Sequence, residues 1–193
     1  MTAKLIFEWS LLVLGIVALG YAMIVIKEEK KSFLENALTI KIGPFSFSIP
    51  SWWGATETTE NFQKYERTDT RYEWFCEYHY YKDGKNNRSI EQHIGDVLEE
   101  KEIAFDQDGV VIANPVSFQK KVKMFEHHPE IKFARVEGTA TQAGITRIYF
   151  DCFLLHPNED ENDDSYLLAF SWSSVLNGAV EGPYFEESLY SIR

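Results

Sequence analysis

The residues able to do chemistry are few and scattered along this chain. His127-His128-Pro129-Glu130 puts two imidazoles and a carboxylate within four positions, ligand types that zinc accepts. Adjacent side chains on a strand or turn point in different directions, however, and His79, His93 and His156 fall on other segments. A fold could gather three of these rings around a metal, but no spacing requires it, so structural or surface histidines are expected. The run Pro157-Asn158-Glu159-Asp160-Glu161-Asn162-Asp163-Asp164 is dense in oxygen ligands. Calcium loops use a glycine to turn the chain and a later glutamate; this run has no glycine, and a solvated loop is expected. Cys76 and Cys152 lie inside apolar runs and read as small buried hydrophobes. A disulfide between them stays open if the domain is exported and their strands are neighbours. No GxSxG, HExxH or glycine-rich phosphate loop occurs. The expectation is a non-enzymatic chain with no catalytic residue, no metal site and no cofactor.

Two other groups suit recognition. The consecutive aromatics Trp52-Trp53 and Tyr80-Tyr81 cannot all face one core layer. All four are candidate partner-contact residues, with burial beneath a helix layer as the alternative. Gly15, Ala18 and Ala22 follow i, i+3, i+7 spacing, a stripe along which a second helix could approach closely. Ordinary transmembrane composition, rich in Gly and Ala, gives the same pattern.

That stripe lies in the element that sets the chain's address. Leu5 to Ile26 is a long apolar run ended by Lys27-Glu28-Glu29-Lys30-Lys31. Its 22 positions reach about 33 Å as a helix, enough for a ~30 Å hydrocarbon core. A cleaved signal peptide has a shorter apolar stretch, about 7–15 residues. Residues 5–26 are therefore expected to be a retained transmembrane helix, in contact with the lipid bilayer and with another membrane protein. Residues 27–38 are expected to form a juxtamembrane linker, the helix running on for two or three turns. Three lysines after the run against Lys4 before it favour a cytoplasmic domain, whereas a short N-terminal tail favours export. The expectation carried forward is a single-pass protein of a bacterial inner membrane with an extracytoplasmic domain.

Residues 39–193 are long enough for one domain with a real core. Of 19 basic and 30 acidic residues, positions 1–31 hold four and three, leaving 15 against 27 and a net charge of −12 beyond them. Such a surface repels phosphate backbones, so nucleic acid is excluded as a partner. Phe45-Ser46-Phe47-Ser48-Ile49 alternates as a half-buried strand and stops at Pro50. Arg71 to Tyr81 reads as an aromatic strand, and Lys82 to Asn87 as a turn. Ser89 with Gln92 makes a capping box ahead of a helix to about Glu102, with Ile90, Ile94, Val97 and Leu98 on one face. Gly109 to Ala113 and Lys120 to Phe125 are expected as strands split by Asn114-Pro115. Ile131 to Thr141 and Ile145 to Leu155 read as a hairpin around Gln142-Ala143-Gly144, and Tyr166, Leu168, Phe170 and Trp172 as a further strand. Gly182-Pro183 is expected to open a last helix whose apolar face is Phe185, Leu189 and Ile192. Hydrophobes on both sides of several strands imply a sheet covered on both faces.

This order of elements resembles the Mog1/PsbP-like family. The residues that carry it are the strand running into Pro and Trp (Phe45 to Trp53), the glycine turn before an Arg-and-aromatic strand (Gly144 to Phe150), the Tyr-x-Leu-x-Phe strand (Tyr166 to Phe170) and the closing Ser-Ile-Arg. The resemblance implies an α+β fold, an α/β/α sandwich on a mainly antiparallel sheet, behind the single transmembrane helix. It also implies a binding or assembly role, as in relatives that serve as a photosystem accessory subunit, a small-GTPase cofactor or effector chaperones. The functional expectation is a membrane-anchored interaction module, an accessory subunit of a larger membrane protein complex. The alternative is an envelope ligand-binding or stress-sensing domain with a pocket between sheet and helix.

Overall fold

The computed structural model describes residues 3–68, 73–82, 89–106, 112–113, 116–122, 124–125, 131–156 and 165–193. The chain divides into two units, Met1–Ala37 and Leu38–Arg193. The first is one helix, α1 (Ala3–Asn36, 34 residues), about 51 Å long at 1.5 Å per residue. Many of its apolar side chains are exposed, as at Leu14 and Tyr21. The helix continues through Lys27–Lys31 and closes with Asn36 Nδ2 donating to the Ser32 carbonyl at 3.2 Å. Pairs four residues apart support both ends: Lys4 with Glu8 at 4.0 Å, and Lys31 with Glu35 at 3.7 Å.

The second unit is α+β. A hairpin of β1 (Leu38–Ile42) and β2 (Phe45–Ile49) packs beside a larger sheet. That sheet contains β3 (Trp53–Thr58), β4 (Phe62–Arg67), β5 (Trp74–Tyr81), β6 (Ile103–Phe105), β7 (Ile112–Ala113), β8 (Lys132–Gln142), β9 (Thr146–His156) and β10 (Tyr166–Ser173). Its order is β3-β4-β5-β10-β9-β8-β6, with β7 also on β8, and its pairings are antiparallel.

Among the described residues, each face of the sheet is packed by one of the two longer helices of this unit. α2 (Ile90–Glu100) starts from the capping box foreseen at Ser89 and Gln92 and ends before Lys101. It seats Ile90, Ile94 and Val97 in a core with Val136, Ile148, Phe150, Cys152, Leu154, Leu168 and Phe170. On the other face α4 (Val175–Tyr190) buries Phe185 and Leu189. There the Tyr78 ring packs at a tilt against Phe47 (5.0 Å) and Phe185 (6.1 Å), and its hydroxyl lies 2.7 Å from Ser188 Oγ. The hairpin completes this layer. Ser46 and Arg193 exchange backbone hydrogen bonds at 3.0 and 3.1 Å, tying the chain's last residue to β2. Gly43, at φ 54°, turns the hairpin where a Cβ would strike the Tyr80 ring.

Three expectations are corrected. The last helix does not open at Gly182-Pro183 but at Val175, with Pro183 inside it. Pro183 forgoes one backbone bond, and packing of the turns on either side, at Gly178, Glu181 and Phe185, holds the helix together. Lys120–Phe125 is not a strand: a helical turn α3 (Val116–Gln119) precedes it, and Phe118, Val122 and Phe125 are buried at the i, i+4, i+7 spacing of a helix. A Cys76–Cys152 disulfide does not form. β10 separates their strands, Cys76 lies opposite Ser171 and Cys152 opposite Phe170, so the two thiols face opposite sides of the sheet. Burial pushes both thiols above their ordinary range. His127, His128, the acidic run 157–164 and the 83–87 turn lie outside the described residues.

Candidate binding cleft beyond the end of α2

α2 has 11 residues, about 16 Å, and packs on β6, β8 and β9. The same sheet face over β4, β5 and part of β10 is therefore not covered by it. Cross-strand register assembles this area in rows. Glu66, Phe75 and Trp172 form one; Lys64, Glu77 and Phe170 the next; Phe62, His79 and Leu168 the third. Tyr81 and Tyr166 end the series. Most of these side chains are half-buried, as a solvated aromatic face requires.

Between these rows and residues 100–103 lies an open cleft of about 290 Å³. Phe75 and Trp172 stack at 5.4 Å and 17°, and Trp172 Nε1 donates to Gln142 Oε1 at 2.9 Å. Two cations already sit over rings that line the cleft. Lys64 Nζ is 4.2 Å from the Phe75 ring centre, and Lys101 Nζ is 4.0 Å from that of Phe170. Lys64 also reaches Glu77 at 3.7 Å and Glu66 at 3.8 Å. Glu77 accepts a bond of 3.0 Å from His79 Nε2. Burial works against ionising Glu77, but His79, Lys101 and Lys64 outweigh it and hold the carboxyl below its usual range. Glu100 and Glu102 complete an acidic rim, and the carbonyl end of α2 adds partial negative charge. Glu102 is held at φ 55°, its carbonyl accepting from Ala143 N at 2.9 Å, so the exit of α2 is fixed against the β8–β9 turn.

A ladder of rings continues from the cleft along the same face. His79 stacks over Phe170 (5.9 Å) and Tyr81 (5.8 Å); Tyr81 stacks on Tyr166 at 4.5 Å. Tyr166 meets His93 at 4.2 Å and His156 at 6.1 Å, and His93 Nδ1 is 3.4 Å from His156 Nε2. The fold thus gathers His79, His93 and His156, which the sequence scatters. Among the described residues no group of three His, Cys, Asp or Glu side chains is placed to hold a metal ion. Burial, then Tyr81 and Glu100, push the Tyr166 phenol up to about 12.

Of the aromatic pairs, Tyr81 alone reaches this face, where it is exposed. Trp53 is corrected as a contact candidate: it is 3% exposed, 4.5 Å from Trp74, and donates from Nε1 to Glu181 Oε2 at 2.9 Å. Trp52 is half-buried on the α4 side, edge-on to Tyr184 at 5.1 Å, and Tyr80 packs against Phe45 at 6.0 Å. Gly15, Ala18 and Ala22 are exposed on α1, and nothing lies within 4 Å of a Cβ built at Gly15. Sequence reasoning missed Lys64, Phe75, Glu77 and Lys101, and singled out His79 only as one of the scattered histidines. A signal existed in β5, where Glu77 and His79 alternate with aromatics opposite the wholly apolar face of Trp74, Cys76 and Tyr78.

No described protein family matches the chain. No curated protein matches it. Among solved structures, one from Bacteroides thetaiotaomicron superposes with a TM-score of 0.43 at 12% identity, over 77% of this chain and 44% of that one. The chain thus spans less than half the length of that structure. The Saccharomyces cerevisiae Ran-binding protein Mog1p superposes with a TM-score of 0.48 at 8% identity, over 82% of this chain and 95% of that one. A point mutant of the protein Mog1 gives 0.47 at 10% identity, over the same shares. Likenesses of this size carry no argument about activity or partner; the α+β architecture rests on the chain's own strand order.

Proposed function

We propose that the chain is a membrane-tethered, non-enzymatic module that binds and helps assemble a larger membrane protein complex, with a domain of the Mog1/PsbP-like kind as its binding part. The observation that carries this reading is the open cleft, whose floor holds the half-buried rings of Phe75 and Trp172 beside the buried Phe170, and whose rim carries the exposed Glu100 and Glu102, on an incompletely covered sheet face. Aromatic residues in partly desolvated surroundings are what protein interfaces concentrate at their centres. α1 supports the tether: it is long and apolar enough to cross a bilayer. In this proposal α1 packs on a partner helix through Gly15, Ala18 and Ala22, and holds the acidic domain on the extracytoplasmic side of a bacterial inner membrane. Confinement there raises its effective concentration near membrane partners.

Purification of the full chain from its native membranes in mild detergent tests the reading. The expected result is a stoichiometric membrane-protein partner retained by the wild type and lost from a Phe75→Ala/Trp172→Ala variant of equal expression. Recovery of monomer alone, with or without the substitutions, would overturn it.

A further inference from the structure

We infer that the cleft beyond α2 receives an arginine side chain from a basic segment of a partner protein, and that Lys101 and Lys64 occupy its seats until the partner displaces them. This rests on the binding-module reading above. The two lysines show what the site selects: each places its ammonium about one cation–π distance from a ring, 4.0 Å over Phe170 and 4.2 Å over Phe75. Glu66, Glu77, Glu100 and Glu102 surround these two cations, so negative charge exceeds positive at the site. The surplus agrees in sign with the −12 carried by residues 32–193, which draws basic partners and speeds their encounter at low salt.

Arginine fits better than lysine for three reasons. The Phe75 and Trp172 rings lie nearly parallel, 17° apart, and a planar guanidinium stacks on aromatic ring faces while an ammonium does not. Glu77 lies between the two seats as an ionised carboxylate, which guanidinium meets with two parallel hydrogen bonds. A guanidinium is also more weakly hydrated, so it leaves water for a half-buried cleft at lower cost than the resident lysines. Lys101 is suited to leaving, because it is the residue at which α2 ends and its long side chain reaches water from there. Its departure frees the Phe170 ring without disturbing the helix.

Calorimetric titration of the full chain in detergent micelles tests this with two short, otherwise identical peptides, one carrying arginine and the other citrulline, its neutral isostere. Arginine is expected to bind at least about tenfold more tightly. Lys101→Met should tighten the arginine peptide several-fold by removing a competitor, whereas Lys121→Met, an equal charge change on α4's side of the sheet, should leave it unchanged. Glu77→Gln should weaken it about tenfold, with circular dichroism checking that the fold persists. Equal binding of the two peptides, weaker binding in Lys101→Met, or equal tightening in both lysine variants overturns the inference. Binding of free choline with no binding of the arginine peptide overturns it as well. If the inference fails while the purified chain still keeps a partner that Phe75→Ala/Trp172→Ala loses, the binding-module reading stands without it.

Discussion

Arg135 holds three carboxylates at once. Nε and Nη2 donate to Asp151 at 3.0 and 2.8 Å, Nη2 also to Glu137 at 2.6 Å, and Nη1 to Glu186 at 2.9 Å. Asp151 is fully buried, and burial, with Glu137 and Glu186 adding to it against the pull of Arg135, pushes its carboxyl up to about 6. Burial opposes charge on Arg135 too, yet its three partners hold it above its ordinary value. The two partners therefore respond oppositely to one pair. The parallel bonds and the raised Arg135 value favour the ionised pair, and a carboxyl raised only to about 6 is still mostly ionised at neutral pH. The unfolded carboxyl titrates near ~3.9, so the folded state binds this proton more tightly. Asp151 consequently favours folding below about pH 4, and that contribution, on the order of 3 kcal/mol, is lost as pH rises to about 6. Denaturation of wild type and Asp151→Asn across this range should show the wild type losing stability relative to the variant up to about pH 6 and no further divergence above it. An opposite slope would mean that Arg135 outweighs burial.

At the scale of elements, α4 is fastened to the sheet by a glycine and a buried ion pair. A Cβ at Gly178 would stand 2.4 Å from Tyr149 Cβ and Cγ, atoms next to the backbone that cannot move aside. At Gly182 the nearest atom would be Tyr149 Cε1 at 3.6 Å, an ordinary contact. Gly178→Ala should therefore cost about 1–3 kcal/mol, more than the ~1 kcal/mol that alanine adds to a helix. Gly182→Ala should be neutral or stabilising, and the difference in thermal midpoint between the two variants checks the packing. Beside them Glu181, fully buried, pairs with Arg67 and accepts from Trp53. Glu181→Ala leaves Arg67 without this partner and is expected to cost about 3–5 kcal/mol, whereas the double change Arg67→Met/Glu181→Leu should recover much of that. Urea denaturation of the three variants measures it. These fasteners explain what the sequence could tell. The capping box at Ser89, the hairpin turn at Gly144 and the alternation of β2 and β10 are local patterns, and they were readable. Pro183 misled because its local meaning, a helix start, is overridden by distant contacts of α4 with Tyr149 and Arg67. The cleft was hidden for the same reason: Lys64 meets Glu77 only through the β4–β5 register, and Lys101 meets Phe170 only through where α2 ends. Register and helix placement are properties of the assembled sheet.

For the whole molecule the decisive element is still α1. Its 34 residues make about 51 Å of helix, well beyond a ~30 Å hydrocarbon core. The apolar part ends at Ile26 and the helix carries on through Lys27–Lys31, so in a helix that spans a bilayer these charged turns would project past it instead of being drawn into it. A signal peptide and a retained anchor both present an apolar helix, but they differ in what remains afterwards. If α1 is an anchor, the chain taken from membranes still contains residues 5–26 and resists alkaline extraction. Loss of about 2 kDa or more, with release into the soluble fraction, would identify a leader and remove the tether from the proposed mechanism. Should the anchor hold, Gly15→Leu/Ala18→Leu separates its two roles. Bulky side chains on the small-residue stripe leave insertion intact, since leucine favours the bilayer, but they keep a partner helix from close approach. Reduced partner recovery with unchanged membrane retention is the expected outcome; unchanged recovery would place recognition in the domain's cleft alone.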